Sequence, residues 1–296
     1  NGGAVTNDDA YLGENAGSAG AVTIDGAGSA STWTNSGDLY VGYSGTGTLD
    51  ITNGGHVLNQ AATLGELDNA TATVTVDGTG SSWGTDDGLT VGGSGSATLA
   101  ISNGGSADAD SVVVGGGATA SGAVTVDGGS KWTNKNGLYL GFQGSGTLAV
   151  TNGGIASGGL TSMAIGADAT GQATVDGQGS LWEMHGDLAI GVGGTGSVTL
   201  SNGGTALVDF ATVIASQAGS AGTLNIGGAA GSAATGAGVL DSATLQFGLG
   251  SGALNFNHTD ASYAFDASIS GLGTINQIAG NTNLTGISNG FTGATN

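Results

Sequence analysis

Short segments in which apolar residues occupy every second position run along most of the chain. LYVG at 39–42, TLDI at 48–51 and VTVD at 74–77 are examples. A period of two places successive side chains on opposite faces of a strand, so each segment predicts a short β-strand with one buried face. Frequent glycines and β-branched residues, with no run of strong helix formers, disfavour helix. The pattern therefore predicts an all-β chain.

The predicted strands belong to a repeat of about 50 residues. NGG motifs, the four tryptophans and DG motifs all recur at this interval. Each repeat splits into two units of similar pattern, as in 39–55 and 62–78. A glycine that closes an apolar tetrad marks each unit, at Gly13, Gly42, Gly65, Gly92, Gly115, Gly141, Gly166 and Gly191. The basic unit is therefore about 25 residues long.

A unit of this length with two or three short strands matches one coil of a parallel β-helix. A propeller blade needs about 40 to 45 residues and four longer strands. One coil buries about five or six side chains, each worth roughly 1.5 to 3 kcal/mol, whereas ordering costs about 1 to 2 kcal/mol per residue. Neighbouring coils must therefore stack. We expect an inward position for the recurring leucines, Leu12, Leu39, Leu64, Leu89, Leu138 and Leu188.

The repeat is not equally regular along the chain. Residues 1–240 are expected to form regular coils, two in each 50-residue repeat. No tryptophan follows Trp182, and Gly227 stands where the next asparagine is expected. We therefore expect 241–296 to continue as less regular C-terminal coils.

The turn residues suggest a structural column. Asn and Asp bond their own backbone in turns, and glycine adopts positive φ without steric cost. Stacked turns predict the column Asn1, Asp25, Asn53, Asp77, Asn103, Asp127, Asn152, Asp176 and Asn202. Alternation keeps the aspartates two coils apart, which lowers their repulsion. A structural role is favoured over a row of catalytic or calcium-binding carboxylates.

Composition excludes several classes of protein. The chain has 64 glycines in 296 residues without a strict G-X-Y period, and no cysteine, so it is neither collagen nor a disulfide scaffold. With 2 Lys+Arg against 22 Asp+Glu and a net charge of −20, nucleic acid is not an expected partner. The sequence offers no long apolar run and no basic start followed by an apolar core, so neither a membrane span nor a signal peptide is predicted.

Candidate catalytic chemistry is sparse. No calcium-binding nonapeptide, G-x-S-x-G, Walker loop or H-E-x-x-H is present, and the three histidines lie in different units. The pairs Asp86 with Asp87 and Asp108 with Asp110 fit solvated turns better than an acid/base pair. The two basic residues, Lys131 and Lys135, lie side by side in one coil. We expect no enzyme activity, no cofactor and no metal site.

Two surface features are candidates for binding. The outward position before each turn forms a ladder of small, mostly polar residues, Thr23, Asp50, Thr75, Ala100, Thr125, Ala149, Thr174, Thr199 and Asn225. This ladder is either a solvated face or a docking surface for a like molecule. The second feature is the column Trp33, Trp83, Trp132 and Trp182, spaced about 9.6 Å, with outward Tyr40 and Tyr139 nearby. It either packs between coils or forms a strip that stacks on sugar or protein.

Several motifs resemble the passenger domains of Gram-negative autotransporters of the type V secretion class. They are GSGTLAVTNGG at 144–154, DGxGSxW, LYVG, and the C-terminal phrases ISGxGxI and LTGxxxxFTGAT. The resemblance implies a right-handed, pertactin-like β-helix on the cell surface. It also implies adhesion, autoaggregation or biofilm formation, and a C-terminal translocator barrel in the membrane that is absent from this chain. No ligand-binding residue carries over, because passengers share no ligand motif.

Residues and resemblance together predict a non-enzymatic adhesin exposed at the surface of a Gram-negative outer membrane. Its expected partners are like molecules on neighbouring cells, or a host or matrix protein or glycan. Two alternatives remain open. One is a carbohydrate-binding or carbohydrate-active β-helix, and the other is a passive stalk for a missing N-terminal module.

Overall fold

Inward apolar and outward polar side chains alternate along each long strand. In Thr46–Thr52, Leu49 and Ile51 are buried, whereas Thr48 and Asp50 are half-exposed. This alternation gives strands with one core face. The computed structural model describes residues 2–296, which form a parallel β-solenoid of about 11 turns with coils of about 25 residues. The predicted all-β fold and coil length are confirmed.

The first strands, in chain order, are β1 (Ala4–Asn7), β2 (Ala10–Leu12), β3 (Ala19–Asp25), β4 (Thr32–Asn35), β5 (Leu39–Val41), β6 (Thr46–Thr52), β7 (His56–Asn59), β8 (Ala62–Leu64), β9 (Thr71–Asp77), β10 (Ser82–Thr85), β11 (Gly88–Val91), β12 (Ser96–Ser102), β13 (Ser106–Val114), β14 (Ser121–Val126) and β15 (Lys131–Leu140). The others are β16 (Ser145–Thr151), β17 (Ile155–Met163), β18 (Thr170–Asp176), β19 (Leu181–Met184), β20 (Leu188–Ile190), β21 (Thr195–Ser201), β22 (Thr205–Ile214), β23 (Ala221–Gly227), β24 (Val239–Phe247), β25 (Ser251–Asn257), β26 (Tyr263–Phe265), β27 (Ser268–Gly271), β28 (Thr274–Ala279), β29 (Thr282–Leu284), β30 (Gly290–Phe291) and β31 (Ala294–Thr295).

Two large sheets wrap the core. The twelve-stranded sheet runs in the order β3-β6-β9-β12-β14-β16-β18-β21-β23-β25-β28-β31. The seventeen-stranded sheet holds the shorter strands, two per coil, such as β7 and β8. In β13, β15, β17 and β22 the two short strands join into one strand of 9 or 10 residues. A small sheet, β26-β29, lies near the C-terminus.

The core consists of inward columns that cross the coils. The six leucines predicted to face inward are all buried, between 0 % and 5 % exposed. They occupy two neighbouring columns. Leu39 and Leu89 both pair with Ala62 in one, and Leu12 and Leu64 both pair with Val41 in the other. Uneven unit lengths are absorbed in the turns and in register shifts such as the one between Asn134 and Gly137, so the inward positions stay aligned.

The turn column differs from the predicted one by one residue. The four aspartates stand in register with the hydroxyl residue before each asparagine, so Asp77 pairs with Thr52 and Ser102. Asn53, Asn103, Asn152 and Asn202 adopt φ between 49° and 54°, the conformation predicted for these turns. Asn1 of the predicted column lies outside the described residues. A single column of alternating Asn and Asp is therefore wrong.

One marker glycine was also assigned to the wrong position. Ala164, not Gly166, occupies the left-handed turn position of its coil, with φ 54°. The register aligns Met163 with Leu140, so Ala164 follows as Gly141 does. The tetrad MAIG resembles LYVG in its apolar pattern, and a shift of two residues preserves the alternation.

After β23 the connection to the next strand lengthens to residues 228–238. This excursion makes an antiparallel bridge between Ser201 and Ala237 and a parallel one between Thr235 and His258. Beyond it, β24, β27 and β30 extend the seventeen-stranded sheet, and β25, β28 and β31 extend the twelve-stranded sheet.

Candidate binding surfaces

The outward ladder of the twelve-stranded sheet is in unbroken register. Each member pairs with the next one coil away, from Thr23 with Asp50 to Thr199 with Asn225. Thr23 is exposed, and the ladder residues from Asp50 to Thr199 are half-exposed, but Asn225 is buried, so its predicted outward position is wrong. Adjacent coils of a parallel sheet lie about 4.8 Å apart, so these side chains form a straight row on the surface.

A second outward column runs beside the ladder on the same strands. It comprises Ala21, Thr48, Thr73, Thr98, Ala123, Thr147, Gln172, Ser197 and Thr223. All of these residues are exposed or half-exposed. Asp50 is the single charged residue in the two columns together. These two columns are therefore nearly uncharged in a chain that carries a net charge of −20, whereas the next outward position of the same strands holds Asp25, Asp77 and Asp176 at the turn end.

The C-terminal continuation of the ladder is a row of asparagines that the sequence analysis missed. Asn255 donates to Asn225 at 2.9 Å, Asn276 donates to Asn255 at 2.8 Å, and Asn296 donates to Asn276 at 2.9 Å. Asn225 in turn donates to the Thr199 hydroxyl at 3.2 Å. Each side-chain amide thus donates a hydrogen bond to the ladder residue one coil away. The signal was the LNI and LNF triplets, in which Asn lies between two inward apolar residues, and the INQ triplet, in which Asn follows one.

The tryptophans lie in the core, which corrects their assignment as candidate binding residues. Trp33, Trp83, Trp132 and Trp182 are between 0 % and 6 % exposed. They alternate along one inward column with small residues, in the order Val5, Trp33, Val57, Trp83, Ala107, Trp132, Ala156, Trp182 and Ala206. A large ring in every second coil fits against a small side chain in the next. No ring face is therefore available for a sugar or a protein.

The indole N–H groups differ in their partners. Trp33 donates to Asn7 Oδ1 at 2.7 Å and Trp83 donates to Asn59 Oδ1 at 2.8 Å. Trp132 Nε1 is buried and finds no acceptor among the described residues. In each satisfied case the acceptor stands two residues after the small residue that pairs with the tryptophan. The equivalent position for Trp132 is Ala109, which has no acceptor to offer.

Tyr40 and Tyr139 occupy one outward column of the seventeen-stranded sheet, four coils apart, and both are half-exposed. Each makes a T-shaped pair with an aromatic residue three positions later. Tyr40 contacts Tyr43 with ring centroids 5.4 Å apart, and Tyr139 contacts Phe142 at 6.3 Å. Tyr11 stacks on Tyr40 at 4.9 Å with an interplanar angle of 9°.

Sequence reasoning missed Tyr11, Tyr43 and Phe142. Aligning AYLG at 10–13 with LYVG at 39–42 would have placed Tyr11 beside Tyr40. Partial burial, followed by the Asp9 carboxylate, raises the pKa of the Tyr11 phenol. Partial burial, followed by Asp38, raises the pKa of Tyr40. The phenols therefore stay neutral well above physiological pH.

The repeated aspartates are held by hydrogen bonds between coils. Asp77 accepts from the Ser102 hydroxyl and the Asn103 amide, both at 2.6 Å. Asp176 accepts from Asn202 in the same way, at 2.7 Å. The Asn53 amide and the Ala27 backbone N–H lower the pKa of Asp25. These carboxylates act as acceptors that close the turns.

The acidic pairs lie at the corner between the short strands. Asp110 pairs with Lys135 at 3.0 Å, and burial raises the pKa of Asp108, with Lys135 opposing the shift. His185 contacts Asp209 at 2.9 Å. Within residues 2–296 no group of three or more His, Cys, Asp or Glu is arranged to hold a metal ion. The described part of the chain also contains no helix that could span a membrane.

Comparison with known proteins gives one partial match. Over 60 residues, 20 % of this chain, the sequence is 48 % identical to the adhesin BmaC autotransporter of Brucella suis biovar 1 (strain 1330). The matched stretch covers about 2 % of the length of that relative. No family model and no solved structure matches the chain.

The local similarity and the fold agree with each other. The matched relative is an autotransporter adhesin, and the chain is a parallel β-solenoid, the architecture that the passenger resemblance implies. The chain is accordingly a parallel β-solenoid that is similar, over 60 residues, to an autotransporter adhesin, which is consistent with an autotransporter passenger domain.

Proposed function

We propose that this chain is part of a cell-surface adhesin of the outer membrane that self-associates through the outer face of the twelve-stranded sheet. The register of the ladder from Thr23 to Thr199 carries the proposal. A weak contact made by one coil is repeated by each following coil, so two aligned rods make many contacts at once. The relative's description as an adhesin supports a role in adhesion.

The low charge of the ladder and of the column beside it is compatible with self-association. The ladder and the column beside it contain one carboxylate, Asp50, whereas the corner of the seventeen-stranded sheet carries many. Small side chains such as Thr, Ser and Ala allow two flat faces to approach closely. Repulsion from the rest of each rod is screened within about 8 Å at physiological salt. Along these two columns, two like molecules therefore meet little direct charge repulsion.

The test is bacterial settling with the whole precursor displayed on a strain that does not aggregate. Four ladder substitutions, Thr75→Asp, Thr125→Asp, Thr174→Asp and Thr199→Asp, place charges along the face. We expect these cells to stay in suspension while cells that display the parent protein settle. All four positions are half-exposed and outward, so the coils should remain folded.

A matched control puts four aspartates on the seventeen-stranded sheet, with the substitutions Thr90→Asp, Ser162→Asp, Ala189→Asp and Gln246→Asp. These outward positions share one column, and the control has the same net charge as the ladder variant. Control cells should settle like the parent. If the ladder variant settles equally well, at equal surface level and with an unchanged circular dichroism spectrum, the ladder is not the interface.

A second candidate function is glycan binding, favoured by the exposed pair Tyr139 and Phe142. Aromatic rings that are half-exposed on a flat sheet can stack on sugar rings. A glycan array with the parent and with Tyr139→Thr separates this function from self-association, because the ladder residues lie on the other sheet.

We also infer that the chain has no enzyme activity. Its repeated aspartates are engaged in turns, and its two lysines lie in one coil, which leaves few acid/base partners. Purified protein should release no reducing or unsaturated sugars from acidic or neutral polysaccharides, with or without calcium. Release that disappears in Asp86→Asn or Asp87→Asn would overturn this inference and locate the site.

A further inference from the structure

Three tyrosines cluster on the outer surface of the N-terminal coils. Tyr11 and Tyr40 stack face to face, and the Tyr43 ring meets both edge-on, each time with centroids 5.4 Å apart. Tyr11 is 45 % exposed, and Tyr40 is half-exposed. The cluster is therefore an accessible aromatic surface, and nothing in the core explains it.

Carboxylates border this cluster at both ends of the short strands. Asp9 and Asp38 directly precede β2 and β5, and the Tyr40 hydroxyl donates to Asp38 Oδ2 at 3.4 Å. Glu14 and Glu66 follow marker glycines, in the turn position that Tyr43 occupies in the coil between them. Tyr43 is thus flanked by a glutamate one coil away on either side.

These charges have no neutralising partner nearby. The chain's two basic side chains are Lys131 and Lys135, and Lys135 pairs with Asp110. Glu66 is hydrogen-bonded through its backbone, but the side-chain carboxylates of Glu14 and Glu66 make no hydrogen bond to any residue in 2–296. The other outward aromatic pair, Tyr139 with Phe142, has no such set of acids in its coils. The N-terminal cluster thus combines aromatic rings with carboxylates that have no basic partner among the described residues.

We propose that the cluster of Tyr11, Tyr40 and Tyr43 binds cationic side chains, namely the arginines and lysines of a basic segment in a partner protein. A guanidinium or ammonium group is attracted to the face of an aromatic ring, and flanking carboxylates add a direct charge interaction. A second copy of this chain cannot supply such a segment, because it has only two basic residues. The partner is therefore a different, basic protein, and this site acts separately from the ladder face.

The test uses the purified chain and a labelled Gly/Ser peptide that carries four arginines, followed by fluorescence anisotropy at physiological ionic strength. A peptide with citrulline in place of arginine has nearly the same shape without the charge. The arginine peptide should bind saturably and the citrulline peptide should not. No saturable binding, equal binding of both peptides, or equal competition by a neutral oligosaccharide would overturn the proposal.

Variants distinguish a local site from general attraction to an acidic rod. The double variant Tyr11→Thr, Tyr40→Thr uses the residue that Thr63 and Thr90 provide in the same column, so it should fold. We expect it to bind about tenfold more weakly, since two ring faces are lost. Tyr139→Thr, from the same column outside the cluster, should bind like the parent.

The acids are tested in matched pairs. Glu14→Gln with Glu66→Gln removes two carboxylates from the cluster, and Asp86→Asn with Asp87→Asn removes two elsewhere. The first pair should weaken binding about threefold or more, and the second should change it by less than about twofold. Equal weakening by both pairs would mean that net charge alone attracts the peptide, and the site would be rejected.

Discussion

The tryptophan column provides a test of the packing at the level of one hydrogen bond. Trp83 and Trp132 occupy equivalent buried positions, but only Trp83 has an acceptor, Asn59 Oδ1 at 2.8 Å. Replacing either ring by Phe removes a similar volume from the core. The two substitutions differ in the buried polar groups that they leave unpaired. Trp83→Phe leaves the buried Asn59 oxygen without this donor, whereas Trp132→Phe removes a donor that had no partner.

An unpaired buried polar group costs about 1 to 3 kcal/mol. The loss of stability should therefore be about 2 kcal/mol larger for Trp83→Phe than for Trp132→Phe. Equilibrium unfolding in urea, monitored by far-UV circular dichroism, measures the difference. The comparison requires that the unfolding free energy of both variants depends on urea concentration with the same slope. An equal loss, or a larger loss for Trp132→Phe, would refute the account of this column.

A second variant tests the same reasoning in the opposite direction. Ala109 stands where Asn59 stands for Trp83, so Ala109→Asn should give Trp132 an acceptor and raise the stability by about 1 kcal/mol. In the Trp132→Phe background the new asparagine has no indole to bind and should destabilise the chain. A double-mutant cycle isolates this coupling. Equal effects of Ala109→Asn in both backgrounds would contradict the assigned geometry.

Three further outcomes follow from the contacts. Asn255→Ala should cost about 2 kcal/mol in urea unfolding, because Asn225 and Asn276 each lose a ladder partner. The Asp209 hydrogen bond raises the pKa of His185, so the pair's small stabilisation is present below pH 6.5 and is lost as pH rises through the raised pKa. The melting temperature should show this decline with pH in the parent but not in His185→Gln. Self-association should strengthen with added salt, since screening reduces repulsion between rods of charge −20, and sedimentation at several salt concentrations would measure it.

Much of the fold was predictable because the same residue types recur at the period of the coils. Alternation along strands and the 25-residue unit fixed which side chains face inward, as the buried leucines confirm. Asn53 and its equivalents adopt the positive φ that turns of this kind need. The one-residue offset of the aspartates was not predictable from spacing, because DG and NGG turns differ in length. Ala164 was misassigned since a shift of two residues leaves the alternation unchanged.

The candidate surfaces were predicted less completely. The ladder positions were found because they lie in strands with strict alternation. The tryptophans were ambiguous, since a column every second coil fits either face until the small residues between them, such as Val57 and Ala107, are considered. The contact of Tyr11 and Tyr43 with Tyr40 joins residues from two coils, and the first coil differs in length from the others. Such contacts depend on the register between coils, which the local sequence pattern does not define.

Site-specific cross-linking tests the central claim, that like molecules meet through the ladder face, most directly. The chain has no cysteine, so Thr125→Cys introduces a single thiol near the middle of the ladder, and Thr90→Cys introduces one on the other sheet. Settled cells that display either variant would be treated with a short bis-maleimide, and the fraction of cross-linked dimer would be quantified on a denaturing gel. If like molecules meet through the ladder face, dimers should be abundant for Thr125→Cys and few for Thr90→Cys. Equal yields, or dimers mainly through Thr90→Cys, would contradict it.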